Sequence, residues 1–366
     1  MEKVIDNRGL TPKKLGGDWS DAGYRVLSAK NIKNQSLVQE DKIRTIDDSL
    51  YSRWMDDDVH RGDIILTSEA PCGETLFWDS DEKIVLGQRL FGIRVKREYD
   101  PYYLFLYMNT RRFQNELSSR MTGTTVQGIR QSELMKCRLS LPSYDVQVAV
   151  TKQIKPIDDL IRLNNSINDY LLKLLETLYL RIRTDYSTDY TLSDICIINT
   201  ERNYMDELSV ENYYSTENML PEKSGVVTAS TLPSDQKVIA CQVGDVLVSN
   251  IRPYFKKIHY CDNISGCSSD VICFRAKKIE DSPFLYSVLY DDRFFEYVVA
   301  GSKGTKMPRG DKQQIMMYPI PVVPKNVLKQ FNKIGRCVLS IVSTNNTINR
   351  DLMKTREIIL TKLLSK

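Results

Sequence analysis

Short apolar runs bounded by glycine, aspartate and serine recur along the chain. Examples are GDIILTS at residues 62–68 and GDVLVSN at 244–250. Runs of this length that are rich in β-branched residues favour strands. The apolar stretches at 101–120 and 282–300 each open near a proline and predict a helix packed on the sheet. Together these patterns predict an α+β fold with a mixed sheet plus helices.

A longer pattern fills residues 145–185 and 325–366, which contain almost no proline or glycine. We expect two long helices there, the first bent or begun late at Pro156. Their apolar residues recur at alternating steps of three and four, the spacing of a coiled-coil seam, with Arg356 as a polar interruption. The predicted seam consists of Ile157, Ile161, Asn164, Asn168, Leu171, Leu175, Leu178, Val338, Val342, Asn345, Asn349, Leu352 and Ile359.

The pentapeptide Asn-Asn-Ser-Ile-Asn at 164–168 returns as Asn-Asn-Thr-Ile-Asn at 345–349. The strand motifs, the prolines at 101 and 283 and the segments 128–142 and 310–324 repeat at almost the same offset. A repeat this long indicates a tandem duplication of a globular domain followed by a helix. We therefore expect domains at 1–144 and 186–324, helices at 145–185 and 325–366, and pseudo-two-fold symmetry with antiparallel helices. Asparagines on the seam would fix the register of the pair.

Composition narrows the class of protein. Hydrophobic residues make up 42% and charged residues 27% of the chain, with a net charge of +4, which is typical of a globular protein. No apolar run reaches the roughly 18 residues that span a membrane, and the polar start does not resemble a secretory signal. The eight cysteines form no CxxC pair and the chain has two histidines. We therefore expect no zinc site, buried thiols and a cytoplasmic location.

Several weak motifs, taken in order and duplicated, resemble the specificity subunits of type I restriction-modification enzymes over essentially the whole chain. They are RGLTP at 8–12, GDIILTS at 62–68, GQRLFGI at 87–93, TTVQGIRQSELMKCRLSLPS at 124–143 and the helix at 153–182, followed by their second-copy counterparts. One departure concerns the segment YTLSDICIIN at 190–199, which has no evident counterpart in the first half. We expect the first domain to lack an edge element, to borrow one, or to start at another initiation point.

The resemblance implies a non-catalytic DNA-recognition subunit in which each domain recognises one half of a bipartite target. Helices of about 40 residues would form a rod of roughly 60 Å, a little under two turns of B-DNA, and would set the spacer. They would also dock two methyltransferase subunits, and a motor-nuclease subunit would complete the complex. S-adenosylmethionine, ATP and magnesium would belong to these partners. Two alternatives stay open: a related restriction system with fused methylase and nuclease, and a protein-interaction scaffold without DNA binding.

Motifs for catalysis are weak or absent, so we expect no catalytic and no metal-binding residue in this chain. DPYY at 100–103 lacks the second proline of the Asp-Pro-Pro-Tyr motif of amino-methyltransferases. GSKGTK at 301–306 does not match the phosphate-binding loop GxxxxGK[ST]. No PD…ExK nuclease pattern falls in a convincing strand context.

Candidate DNA-binding residues cluster in polar loops at corresponding places of the two halves. Arginine, lysine and small polar side chains make most contacts to phosphates and base edges. The candidates are Arg120, Thr124, Thr125, Gln127 and Arg130 in the first half, and Arg252, Tyr254, Lys256, Lys257, Lys303, Lys306, Arg309, Lys312 and Gln313 in the second. Gln88 and Arg89 are weaker candidates, since GQRLFGI equally fits the end of a strand.

Overall fold

The computed structural model describes residues 1–123, 126–204, 208–234, 237–304 and 306–364. Two compact units divide the chain. Unit 1 comprises Met1–Asp159 and Arg356–Lys366, and unit 2 comprises Leu160–Thr355. Both boundaries fall inside long helices, so each unit contains a part of both helices.

Unit 1 is built on a four-stranded antiparallel sheet. The strands of unit 1 as a whole are β1 (Lys3–Ile5), β2 (Tyr24–Leu27), β3 (Ile32–Lys33), β4 (Ser36–Leu37), β5 (Thr45–Ile46), β6 (Ile64–Thr67), β7 (Thr75–Phe77), β8 (Ile84–Leu86) and β9 (Leu90–Arg94). The main sheet has the order β1-β9-β6-β7, and a second sheet has the order β5-β2-β8 with β2 and β8 parallel. Strands β6 and β8 are buried throughout, which explains their nearly continuous apolar sequences.

Short helices complete unit 1 and cover its main sheet. They are α1 (Asp48–Trp54), α2 (Pro101–Met108), α3 (Arg111–Ser119) and α4 (Gln131–Leu134). The predicted single helix at 101–120 is wrong, because the chain forms α2 and α3 separately. Thr110 separates α2 from α3, because its hydroxyl caps the start of α3 by accepting a hydrogen bond from the Phe113 amide. The main-sheet core joins Phe91, Phe105 and Phe113 with residues of both long helices.

Unit 2 repeats this topology. Its strands are β10 (Tyr190–Thr191), β11 (Cys196–Asn199), β12 (Arg202–Tyr204), β13 (Tyr213–Tyr214), β14 (Lys237–Cys241), β15 (Val246–Ser249), β16 (Ile258–Tyr260), β17 (Ser265–Cys267), β18 (Val271–Ala276) and β19 (Pro319–Ile320). The main sheet, β11-β18-β15-β16, corresponds strand for strand to that of unit 1. The second sheet keeps the parallel pair, here β13 and β17, but adds β14 and β12 at the β17 edge.

The short helices of unit 2 are α6 (Leu192–Ile195), α7 (Ser282–Tyr290), α8 (Asp292–Ala300) and α9 (Lys312–Met316). The sequence predicted one helix where the chain forms α7 and α8. Asp291 separates α7 from α8, because its carboxylate caps α8 by accepting from the Arg293 amide. The prediction of one helix over 282–300 is therefore wrong for the same reason as in unit 1.

The edge strand of the main sheet is present in both units. In unit 1, β1 pairs with β9, and in unit 2, β11 pairs with β18 in the same antiparallel sense. Val4 lies opposite Ile93 as Ile198 lies opposite Phe274. The expectation that the first domain lacks or borrows an edge is thus wrong for this strand. Unit 2 also contains the two-residue pair β10–β19 and the helix α6.

The long helices are α5 (Tyr144–Asp185) and α10 (Lys325–Leu364). Helix α5 is continuous through Pro156, so it does not begin late at this proline. No helix among the described residues is long and apolar enough to cross a membrane. In unit 1, the Arg356 guanidinium contacts Asp158 at 2.6 Å, and this carboxylate also accepts from the Tyr102 hydroxyl at 2.6 Å. The polar interruption of the predicted seam is therefore paired.

Within unit 2 the long helices run antiparallel and cross at asparagines. Asn164 donates to Asn349 at 2.8 Å, and Asn345 donates to Asn168 at 2.8 Å. Asn168 also donates to Asn346 at 3.1 Å, and Asn349 to Asn165 at 2.9 Å. A shift of 181 residues converts each bond of a pair into the other. The hydrogen bonds therefore follow a local two-fold symmetry.

The predicted seam residues differ in burial. Asn164, Asn168, Leu175, Val338 and Asn349 are buried, whereas Ile157, Ile161, Leu171, Leu178, Val342, Asn345, Leu352 and Ile359 are partly buried. Leu175 and Val338 belong to the main core of unit 2, with Leu171, Leu178 and Val342 packed against it. The helices are therefore part of the domain core as well as partners of each other.

Candidate nucleic-acid interface

Two loops meet at one edge of the main sheet in unit 1. We call residues 68–74, which follow β6, the post-strand turn, and residues 120–130 the glycine-rich loop. The Ile129 amide donates to the Ser68 carbonyl at 2.9 Å, and Glu69 and Gly128 form an antiparallel bridge. The Arg8 side chain lies 4.0 Å over the Phe91 ring and donates to the Ile129 carbonyl at 3.2 Å. The loops are thus joined by main-chain bonds and supported from β1.

The corresponding loops meet in unit 2 through corresponding bonds. Its post-strand turn is residues 250–257 and its glycine-rich loop is residues 301–311. The Gly310 amide donates to the Asn250 carbonyl at 3.3 Å, and the Arg252 amide donates to Pro308 at 2.8 Å. The main chain of Arg309 forms antiparallel β-bridges with both Ile251 and Lys303. Two candidate clusters that are separated by about 50 residues in the sequence therefore form one surface.

Left-handed backbone shapes the post-strand turns. Ala70 and Arg252, at corresponding positions, have φ of 52° and 50°, and Lys256 also has φ of 50°. Such values cost energy for residues other than glycine and are retained where the surroundings enforce them. Between Arg252 and Lys256 the Tyr254 and Phe255 rings are 4.7 Å apart and 46% and 37% exposed. The turn of unit 2 therefore projects an aromatic pair, where unit 1 has Cys72 and Gly73.

Several candidate cations of unit 2 are held by carboxylates. Lys303 contacts Asp311 at 2.6 Å, and Lys256 contacts Asp292 at 3.0 Å. Burial raises the pKa of Asp292, but the ammonium groups of Lys256 and Lys223 outweigh it and hold this pKa below its usual value. These cations are positioned, and part of their charge is neutralised.

Two further candidates have intramolecular partners. The Lys257 ammonium donates to the Thr216 carbonyl, and burial lowers the pKa of Lys257. Arg120 pairs with Glu116 at 2.8 Å, one helical turn away. The Arg252 Nε atom is buried and has no hydrogen-bond partner among the described residues. These three side chains are less available to a ligand than the sequence suggested.

The remaining described candidates are exposed. Gln127, Arg130, Lys306, Lys312 and Gln313 project from the glycine-rich loops or the start of α9. Thr124 and Thr125 lie outside the described residues. The cationic members of this exposed set are the best placed to contact phosphate.

Sequence reasoning missed the carboxylates of this surface. Asp270 contacts Arg309 at 2.9 Å, and Glu69 contacts Arg89 at 2.9 Å. Asp292 lies between two lysines. A search for DNA-binding residues by positive charge overlooks acids, although an acid can orient an arginine or accept from a base amino group. The signal available in the sequence was the short distance of Asp270 from the start of a predicted strand.

Across the described part of the chain, no three His, Cys, Asp or Glu side chains are grouped so that they could hold a metal ion. Four cysteines, at positions 241, 261, 267 and 273, lie in one apolar core of unit 2. Burial raises the pKa of Cys261 well above its usual value, and contact with Cys241 together with burial raises the pKa of Cys267, which disfavours the reactive thiolate at these two positions. The loops at the sheet edge of each unit therefore offer hydrogen-bonding and cationic groups to a ligand.

The first half of the chain is similar in sequence to known proteins. The family model described as type I restriction modification DNA specificity domain matches residues 3–173. The type I restriction enzyme MjaVIII specificity subunit of Methanocaldococcus jannaschii is 30% identical over 179 residues, which is 47% of this chain and 42% of that protein. The putative type I restriction enzyme MjaX specificity subunit of the same organism is 27% identical over 130 residues, or 33% of this chain and 30% of that protein.

A solved structure extends the likeness in fold to the whole chain. The crystal structure of the S subunit of a type I restriction-modification system from M. genitalium superposes with a TM-score of 0.60 at 15% identity, covering 99% of this chain and 93% of that one. The likeness to the type I restriction modification DNA specificity domain covers residues 3–173, a little under half of this chain. The matches span less than half the length of these curated relatives. The α+β class with two similar units and two long helices is confirmed.

Proposed function

We propose that this protein is the non-catalytic DNA-recognition subunit of a type I restriction-modification complex. Each unit contacts one half of a bipartite duplex target through its post-strand turn and glycine-rich loop. Methyltransferase and motor-nuclease subunits supply catalysis together with S-adenosylmethionine, ATP and magnesium. The observation that carries this proposal is the recurrence of the same two loops, joined by corresponding bridges, in both units.

Physical properties of the loops support DNA as the ligand. Phosphate contacts need exposed cations, and Arg130, Lys306 and Lys312 provide them. Base recognition needs polar groups on a rigid support, and the loops are joined to the main sheet by main-chain hydrogen bonds. A protein scaffold would not require cations at the same edge of both sheets.

The experiment that tests recognition is selection from a randomised duplex pool by the full-length protein, alone and together with a methyltransferase subunit. We expect the enriched sequences to contain two short specified segments separated by an unspecified gap. Enrichment without any specified segment, or a single continuous site, would contradict the proposal.

We further propose that α5 docks a methyltransferase subunit through an unpaired apolar stripe. The stripe consists of Leu160, Leu163, Ile167, Tyr170 and Leu174, which are 38–78% exposed and recur at helical spacing. Exposed apolar residues that recur along one helix are typical of an interface with a partner helix. Ile167→Glu should abolish co-purification with the methyltransferase, while Ser166→Glu, at the adjacent exposed position, should not. Equal co-purification of both variants would remove α5 as the docking surface.

The proposed role of the helices as a spacer has its own test. Seven residues inserted after Leu171 and seven before Val342 would lengthen the helices by about 10 Å, or about three base pairs, while keeping the seam in phase. Selection should return the same two specified segments with a longer gap. Altered segments with an unchanged gap would show that the helices do not set the spacing.

A further inference from the structure

One position of the main sheet carries opposite charges in the two units. Leu90 lies opposite Thr67 in unit 1, and Val271 lies opposite Ser249 in unit 2, so Leu90 and Val271 occupy the same place in the repeated sheet. The residue before each of them is Arg89 in unit 1 and Asp270 in unit 2.

Main-chain bonds confirm that these two residues are equivalent. The Arg89 carbonyl accepts from the Ser68 amide at 2.8 Å, and the Asp270 carbonyl accepts from the Asn250 amide at 2.9 Å. Ser68 and Asn250 are the first residues of the two post-strand turns. The position therefore lies at the start of the candidate interface in each unit.

Both residues form an arginine–carboxylate pair with another residue of that interface. Arg89 contacts Glu69 of the post-strand turn at 2.9 Å, and Asp270 contacts Arg309 of the glycine-rich loop at 2.9 Å. The four side chains are 40–56% exposed. Exposed pairs of this kind add only about 0–1 kcal/mol to folding. Stability therefore gives little reason for a charged pair at the same place in both units.

The surroundings of Asp270 suit a base edge better than a phosphate. Asp270 lines a cavity of ≈ 370 Å³ whose polar wall includes Ser215, Thr216, Ser230, Thr231 and Ser268. Glu217 also faces this cavity. Carboxylates repel phosphate, whereas a carboxylate accepts from the amino group of cytosine or adenine.

An arginine beside a carboxylate presents two donors next to an acceptor. The major-groove edge of a G·C pair presents two acceptors, guanine N7 and O6, next to a donor, the cytosine amino group. An A·T pair presents acceptor, donor and acceptor, which does not match. The pairs in both units are therefore complementary to a G·C pair.

We propose that Arg89 and Asp270 are specificity-determining residues, and that each, with its ion-pair partner, recognises one G·C pair in the half-site of its own unit. This inference rests on the proposed function. It adds the position in each unit that decides one base, and the base pair recognised. In unit 1 the arginine is fixed at the sheet, and in unit 2 the carboxylate is.

The test is selection from a randomised duplex pool by full-length Arg89→Gln and Asp270→Asn proteins. Each variant should lose about tenfold or more of its preference for G·C at one position of one half-site, about 1.4 kcal/mol, and leave the other half-site unchanged. Arg89→Lys keeps the positive charge without the forked donor set, so it should retain affinity and lose the same preference. Circular dichroism of each variant checks that it is folded.

Matched controls lie away from the proposed interface. Arg61 pairs with Asp81 at 2.9 Å and lies just before β6, whereas the post-strand turn follows the other end of this strand. Glu211 pairs with Lys354 at 2.8 Å. Arg61→Gln and Glu211→Gln should leave both half-sites unchanged. A bipartite consensus retained in full by the Arg89 and Asp270 variants would overturn this inference while leaving the proposed function intact. A wild-type protein that selects no bipartite consensus would overturn the proposed function itself.

Discussion

The asparagine crossing of the long helices and the loops at the sheet edge have kept the duplication to different degrees. At the crossing, every hydrogen bond has a counterpart 181 residues along, with the same donor and acceptor types. At the sheet edge the main-chain bonds correspond, but the side chains differ. Unit 1 has Arg89 at the position that Asp270 occupies in unit 2, and it has Cys72 and Gly73 where unit 2 has an aromatic pair.

The difference follows from what each region contacts. The two helix segments contact each other, so a change in one copy leaves a side-chain amide of the other without its partner. Loops that contact an external ligand are free to diverge, provided that the backbone supporting them is retained. Identity at the crossing and divergence at the loops therefore separate what holds the protein together from what it recognises.

The largest expected effect tests whether the glycine-rich loops differ in backbone tolerance. Gly123 and Gly304 have φ of 113° and 103°, and an added Cβ would lie 2.2 Å from the Val126 carbonyl oxygen but 3.4 Å from that of Met307. Gly304→Ala should cost about 1–3 kcal/mol, and Gly123→Ala about 3 kcal/mol or more because the clash adds to the strain. Thermal unfolding of the two variants measures this. Equal losses would show that the loops are interchangeable.

At the crossing, by contrast, equivalent substitutions should cost the same. Asn349→Ala and Asn168→Ala each remove a donor and an acceptor and leave the amide of Asn164 or Asn345 without its partner, at about 1–3 kcal/mol. Urea unfolding should place the two losses within about 0.5 kcal/mol of each other. Ser166→Ala, at an exposed position of the same helix, serves as the control. A clear inequality between the asparagine variants would break the local symmetry.

A smaller effect distinguishes free from neutralised cations on the loops of unit 2. Replacing Lys306 and Lys312 by alanine should weaken binding to all sequences and reduce the slope of log affinity against log salt by about 0.9 for each. Lys303→Ala should change the slope less, because Asp311 already neutralises Lys303. Titrations at several salt concentrations measure the slopes. Equal slopes for all three lysine positions would contradict this division.

The smallest effect is a pH dependence at the start of α9 in unit 2. The Lys303 ammonium and the amides of Gln314 and Gln313 hold the pKa of Asp311 below its usual 3.8. Because the folded pKa is lowered, the stabilisation is complete above about pH 3.8 and is lost as the pH falls through the folded value. Amide exchange at Gln313 and Gln314 should accelerate in this acidic range. Asp311→Asn should remove the dependence at these two amides. The start of α4 in unit 1 has Arg130 at the corresponding place and no side-chain cap, so it should show no equivalent of this cap-dependent change.

Much of the fold could be predicted from local sequence. The strand motifs and the repeat predicted two α+β units with long helices, since buried strands and a seam leave periodic apolar patterns. The helices at 101–120 and 282–300 were predicted as single because Thr110 and Asp291 act through caps that interrupt no apolar pattern. Pro156 does not set the start of the first long helix, since α5 continues through it.

The sequence by itself determined the duplication, the element types and the chemistry of the loops, because these depend on composition and spacing along the chain. Only the tertiary structure decided which loops meet and which cations are neutralised. Arg309 is 39 residues from Asp270, and Lys256 of the post-strand turn is held by Asp292 of helix α8. Ion pairs at such separations depend on strand register and loop closure, which no local pattern specifies. For the same reason the equivalence of Arg89 and Asp270 became visible only through the pairing of their strands.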